Sequence, residues 1–202
     1  MLYAFEDRGI ARSAFKHPLF FEKHFYLTSK NETAFRMETT MEKHIDFYPE
    51  EKEAMYALLA EQLKALTDGE SNPIPNLANA SSLIFYALKD INWAGFYLLD
   101  KTTLVLGPFQ GKTACIRIPL GRGVCGTAAA KDEVQVVADV HAFPGHIACD
   151  SASNAEIVLP IHQNGKVVGV LDIDSPVFNR FDETDKAGLQ LLVTILESVC
   201  EF

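Results

Sequence analysis

Within ten residues, His141-Ala-Phe-Pro-Gly-His-Ile-Ala-Cys-Asp150, the chain gathers two histidines, a cysteine and an aspartate around a Pro-Gly pair. Pro144-Gly145 marks a turn rather than the interior of a helix or strand. A thiol on such a loop, with titratable neighbours, is placed where a cysteine can be held as its reactive thiolate. The segment reads as an active-site loop centred on Cys149. The same residues invite a zinc reading, but their spacing matches none of the paired structural patterns and no second cysteine or histidine pair follows. No metal is expected there; His141 and His146 are expected to orient the loop or to lower the Cys149 pKa. Cys200, near the end of the last helical stretch, reads as a small buried hydrophobe.

Asp172 and Asp174 lie two apart in Gly169-Val-Leu-Asp-Ile-Asp174 and so share one face of a strand. Apolar surroundings and like-charge crowding favour a neutral form, making one of them a candidate proton donor near neutral pH. Glu156 is the third candidate. Its orientation depends on register: if Asn164-Gly165 closes a strict two-residue turn, position 156 pairs with 173 and faces away from both aspartates. A one-residue bulge or a three-residue loop would restore it. Trp93, the single tryptophan, and Tyr97 are four apart on a strand and share a side; spacing alone favours plain core packing for them. Gly121-Arg-Gly-Val-Cys-Gly126 lacks the Gly-Lys-Ser/Thr ending of a P-loop, so no nucleotide or other cofactor is implied. Backbone N–H groups at that helix start could hold a substrate carboxylate.

The positioning elements follow from pattern. Pro49, Glu50 and Glu51 precede an amphipathic helix carrying Met55, Leu58, Leu59, Gln62 and Leu66. Asp68-Gly69 and the Asn72-Pro73-Ile74-Pro75 stretch end it, and Asn79 can cap a second short helix through Leu88. Strands are expected over 93–99, 103–106, 114–118, 134–137, 157–161 and 167–173, the last two joined by the Asn164-Gly165 hairpin signal. A short helix opens at Gly121, and Asp182 can cap a final helix carrying Leu189, Leu192, Val193, Leu196 and Val199. Hairpin-linked strands flanked by helices argue an α+β class: an antiparallel sheet with helices packed on one side and a pocket under loops. Residues 1–40 show no sustained period and read as a dispensable extension, with Met37 and Met41 as alternative starts; 41–202 reads as a single domain.

Composition removes whole classes. With 202 residues and 48% apolar content the chain can bury a full core. Lys+Arg 18 against Asp+Glu 27 gives a net charge of −9, the wrong sign for a phosphate-backbone binder. No run of about eighteen apolar residues suits a membrane span. Four cysteines without a signal-peptide pattern argue for a reducing cytosol.

Asn92-Trp-Ala-Gly-Phe-Tyr97, Gly107-Pro-Phe-Gln-Gly111, Gly123-Val-Cys-Gly-Thr127, Asp139 through Asp150, and Gly169-Val-Leu-Asp-Ile-Asp-Ser175 occur together and in order. This set resembles the free methionine-(R)-sulfoxide reductase family, built on the GAF fold, over roughly residues 48 to 200. The resemblance implies that Cys149 attacks the sulfoxide sulfur, that Cys115 is the principal resolving cysteine and Cys125 the alternative, and that thioredoxin recycles the disulfide. It also puts Glu156, Asp172 and Asp174 in one pocket, which requires the hairpin irregularity, and makes Trp93 and Tyr97 a wall for the substrate methyl and thioether. The implied partners are free methionine-(R)-sulfoxide and thioredoxin, with a homodimer as the candidate assembly and neither nucleic acid nor membrane. The alternative is a non-catalytic GAF sensor of a small ligand or of redox state. A pure thiol switch would leave Trp93, Tyr97 and the carboxylates without a shared purpose.

Overall fold

A computed structural model describes residues 48–147 and 150–202, which belong to a unit bounded by Met41–Phe202. The expected extension over 1–40, the starts Met37 and Met41, and Cys149 itself lie outside the described residues. The elements are α1 (Lys52–Thr67), α2 (Pro73–Ala87), β1 (Trp93–Asp100), β2 (Thr103–Gly111), β3 (Arg117–Pro119), α3 (Gly123–Lys131), β4 (Gln135–Val137), β5 (Ala155–Gln163), β6 (Lys166–Ser175) and α4 (Glu183–Val199). A 3₁₀ turn, Val140–Ala142, follows β4.

The six strands form one sheet in the order β3-β2-β1-β6-β5-β4, every neighbouring pair antiparallel. Period-two alternation divides its core. Ala94, Phe96, Ile157, Leu159, Leu171 and Ile173 pack with α1, α2 and α4, while Trp93, Tyr97, Val158 and Val170 pack on the opposite face with α3. The three long helices thus stack on one side, as the pattern predicted. The chain leaves edge strand β3, crosses the other face as α3 and rejoins the sheet at the far edge, β4. A short helix is thereby laid over the middle of a face otherwise covered by loops.

Several local expectations change: β2 runs on to Gly111, past the expected end at 106, β3 is confined to Arg117–Pro119 and leaves 114–116 outside it, and two helix readings shift. Asn72-Pro73 begins α2 rather than closing α1: the Asn72 side chain accepts from Ile74 N at 2.9 Å, and proline occupies the first helical position, where its missing N–H is no loss. Asn79 therefore sits inside that helix. In α1 the buried stripe runs through Met55, Tyr56, Leu59, Ala60 and Leu63, leaving Leu66 about half exposed; packing against α4 rotates the face away from the one read off Leu58 and Leu66. There Gly188 is required, because a Cβ on it would stand 2.1 Å from the Tyr56 ring. At α4 the Asp182 cap is completed by Asp185 into a reciprocal capping box.

Candidate active site

The site is built on the α3 face of the three central strands. Across β1 and β6, Trp93 pairs with Asp174 and Tyr97 with Val170; across β6 and β5, Asp174 pairs with Glu156 and Asp172 with Val158. Directly paired residues in an antiparallel ladder project to the same face. Trp93, Tyr97, Glu156, Asp172 and Asp174 therefore line one cavity, together with Cys125 from α3 and His146 and Ile147 from the loop.

The orientation of Glu156 rests on a bulge. Asn164 and Gly165, both with positive φ, make the two-residue turn, and Gln163 pairs with Lys166. The register then slips: His162 opposes Val167 but Ile161 opposes Gly169, so Val168 is the extra residue. From there position 156 meets 174 instead of 173. The irregularity required of the hairpin lies in β6, beside a regular turn.

The aromatic wall is a stack of three rings. Trp93 lies 5.2 Å from Phe109 and 6.0 Å from Tyr97, both stacked. Gly95, between Trp93 and Tyr97 in β1, makes this possible, since a Cβ there would come 2.6 Å from the indole and 2.3 Å from Phe109 Cβ. The polar tips of the wall fasten the segment after β2. Trp93 Nε1 donates to the Lys112 carbonyl at 3.1 Å and Tyr97 Oη to the Cys115 carbonyl at 3.0 Å. Tyr97 thus ties down the half-buried Cys115, which does not itself line the cavity but follows the cavity-lining Ala114 in the chain.

Electrostatics set the carboxylates apart. Burial, then the Asp172 and Asp174 charges, push the Glu156 carboxyl well above the ordinary range. Burial and the Asp172 charge do the same to Asp174, against a hydrogen bond from Ser153. Asp172 is pushed up to about 6 by burial, held back by the neighbouring Cys125 and Glu156 side chains. Among the described residues lining the cavity there is no lysine or arginine, and the buried Asp172 Oδ1 has no hydrogen-bond partner among them. An anionic, partly protonated pocket with no lysine or arginine among its described lining residues can both donate a proton and receive an ammonium group.

Cys125 is fully buried; its Sγ lies 3.8 Å from Glu156 Oε1, and burial with the Asp172 and Glu156 charges raises its thiol pKa well above normal. Of the two histidines, only His146 lines the cavity, with its pKa lowered by burial. His141 faces outward, its Nδ1 2.9 Å from Asp139 Oδ1. Gly123, Val124 and Cys125 of the α3 start also line the cavity, although the Gly123 N–H is spent on the Gly145 carbonyl. Cys200 lies buried at the end of α4, accepting from Asn76 Nδ2 at 3.6 Å, far from this chemistry.

Sequence reading missed three residues. Lys112 pairs with Asp150 at 3.1 Å, and the Asn92 amide donates to Asp150 at 3.3 Å and to Ser153 at 3.0 Å. These contacts join segments 38 to 61 residues apart, and no local pattern announces them.

A GAF domain family model matches residues 76–199. The free methionine-R-sulfoxide reductase of Escherichia coli is 59% identical over 148 residues, 73% of this chain and 90% of that protein. The chain belongs to the free methionine-R-sulfoxide reductase family. The Saccharomyces cerevisiae member is 49% identical over 159 residues, 75% of this chain and 88% of its own length. Among solved structures, the Neisseria meningitidis reductase in complex with its substrate superposes with a TM-score of 0.72 at 46% identity, over 74% of this chain and 90% of that one. All the site elements described above, from Asn92 to Ser175, fall within the residues matched by the GAF model.

Proposed function

We propose that this chain reduces free L-methionine-(R)-sulfoxide to L-methionine, with Cys149 as nucleophile and Cys115 as resolving thiol. The carrying observation is the convergence of Glu156, Asp172 and Asp174 beside the Trp93–Tyr97 wall, in a cavity with no lysine or arginine among its described lining residues. The wall receives the methyl and thioether. A protonated carboxyl, with Glu156 and Asp174 both pushed upward, donates to the sulfoxide oxygen as the Cys149 thiolate attacks sulfur. Methionine leaves and Cys149 becomes a sulfenic acid. A second thiol condenses with it, giving a disulfide and releasing the oxygen as water. Two thiols and one sulfoxide thus become one disulfide, one thioether and one water. Remaining carboxylate charge faces the substrate ammonium.

Cys115 suits resolution better than Cys125, whose thiol is held protonated by burial first and then by the Asp172 and Glu156 charges and is therefore a poor attacking group. Cys125 stands as the alternative resolver. Thioredoxin is the proposed reductant, the cytosol the compartment and a homodimer the candidate assembly. Residues 41–202 are proposed to carry the activity, so deletion of 1–36 should leave turnover unchanged within about twofold, a change too small to reflect a lost transition-state contact.

The test is NADPH oxidation by full-length protein with thioredoxin, its reductase and separate R and S epimers of free methionine sulfoxide. Turnover of the R epimer alone, abolished by Cys149→Ser, is the expected result. No turnover of either epimer by reduced, folded protein would replace the enzyme with a ligand-binding GAF sensor.

A further inference from the structure

We propose that the inner end of the cavity is a binding site for a soft or borderline divalent cation, of the Zn²⁺ and Cd²⁺ class, held by Cys125 Sγ and by carboxylate oxygens of Glu156 and Asp172. This donor set is distinct from the loop histidines and Cys149 that raise the zinc question in the sequence. One ligand atom from each of the three residues lies within 4.8 Å of the other two. The Cys125 Sγ to Glu156 Oε1 separation is 3.8 Å. A tetrahedral ion with bonds of about 2.3 Å to sulfur and about 2.1 Å to oxygen needs about 3.6 Å between those donors, so little movement is required.

Three further features favour a cation. Asp172 is 6% exposed and lines the cavity, yet its Oδ1 has no hydrogen-bond partner among the described residues. No lysine or arginine among the described lining residues supplies a compensating charge. The donors also stand on rigid elements, Cys125 in the first turn of α3, Glu156 on β5 and Asp172 on β6, and rigid placement favours a preformed site. A thiolate with two carboxylates selects thiophilic and borderline ions over Mg²⁺ or Ca²⁺, which take all-oxygen shells. On binding, the thiol proton and any carboxyl proton leave to solvent, new S–M and O–M bonds form, and no electrons are transferred. The three protein donors leave a fourth position open to water.

The site itself stands without the catalytic reading. A consequence of it, competition between the ion and the amino-acid substrate for the same carboxylates, rests on that reading. The experiment uses full-length protein carrying Cys115→Ser and Cys149→Ser, so that Cys125 is the one thiol left of the three assigned to the reaction. Cd²⁺ is titrated in and followed by its thiolate charge-transfer absorption and by calorimetry, with folding of each variant verified by circular dichroism. The expected result is one equivalent of Cd²⁺ with the thiolate band, lost on further Cys125→Ser and weakened at least tenfold by Glu156→Gln or Asp172→Asn. No band, or a band that survives Cys125→Ser or is indifferent to both carboxylate variants, would overturn the site. Addition of free methionine separates the two claims: displacement of Cd²⁺ supports both, while a Cys125-dependent band indifferent to methionine supports the metal site and counts against the cavity as the substrate pocket.

Discussion

The two faces of the sheet bury carboxylates in opposite ways. On the helix side, Asp185 is 0% exposed and fully partnered: it accepts from Tyr56 Oη at 2.9 Å, Lys52 Nζ at 2.6 Å, Arg180 Nη1 at 3.1 Å and the Asp182 N–H at 3.0 Å. On the α3 side, Glu156, Asp172 and Asp174 crowd together with no lysine or arginine among the described cavity residues and one oxygen orphaned. A buried charge that is paired and hydrogen-bonded belongs to the architecture, whereas one left unpaired costs stability and persists where it is used. Each face thus assigns its acids a different task.

The largest expected effects separate those tasks. Glu156→Gln or Asp174→Asn should lower kcat/KM for the R sulfoxide by about 10²- to 10⁴-fold, the range for loss of a general acid, without lowering the melting temperature. Asp185→Ala should do the reverse. It strands the largely buried Arg180 and the Tyr56 hydroxyl, while Lys52 keeps its pair with Asp182, and should cost about 3–5 kcal/mol of stability, read by denaturant unfolding, while the folded fraction keeps its activity. Equal loss of activity per folded molecule in Asp185→Ala would erase the distinction between the faces.

Next comes pH. Asp172 has a folded pKa near 6 against 3.8 for the ordinary group, so between those values the folded state binds more protons than the unfolded one. Stability therefore falls as pH rises from about 4 and stops falling once pH passes about 6, a loss of about 1–3 kcal/mol from this residue. Asp172→Asn should flatten that slope in unfolding measurements at several pH values. A slope unchanged by the substitution would locate the titration elsewhere.

The smallest contrast concerns two glycines. Gly188→Ala drives a methyl into the Tyr56 ring and should destabilise by about 1–3 kcal/mol with normal turnover. Gly95→Ala, with contacts just as close to Trp93 and Phe109, costs a similar amount but should also raise KM by tilting the aromatic wall. Denaturation paired with steady-state kinetics resolves the two.

Much of this was legible in one dimension because it is local. The alternation of Asp172 and Asp174, the shared side of Trp93 and Tyr97, the Asn164-Gly165 turn and the Asp182 cap all depend on residues within a few positions of one another, where backbone period and capping chemistry decide. Even the misread Asn72-Pro73 carried a local signal, since an N-cap followed by proline opens a helix as readily as a loop breaks one.

Tertiary structure alone decided the rest. Whether Glu156 joins the aspartates depends on Val168, one extra residue in the facing strand, and a one-residue slip turns a whole strand over. Cys115 is held by Tyr97 across 18 residues, Asp150 by Lys112 across 38, and the α1 stripe turns to meet α4. Residue types and periods determined which groups could act and on which elements they ride. Register and long-range contact determined which of them meet, because those energies exist only after distant segments have been brought together.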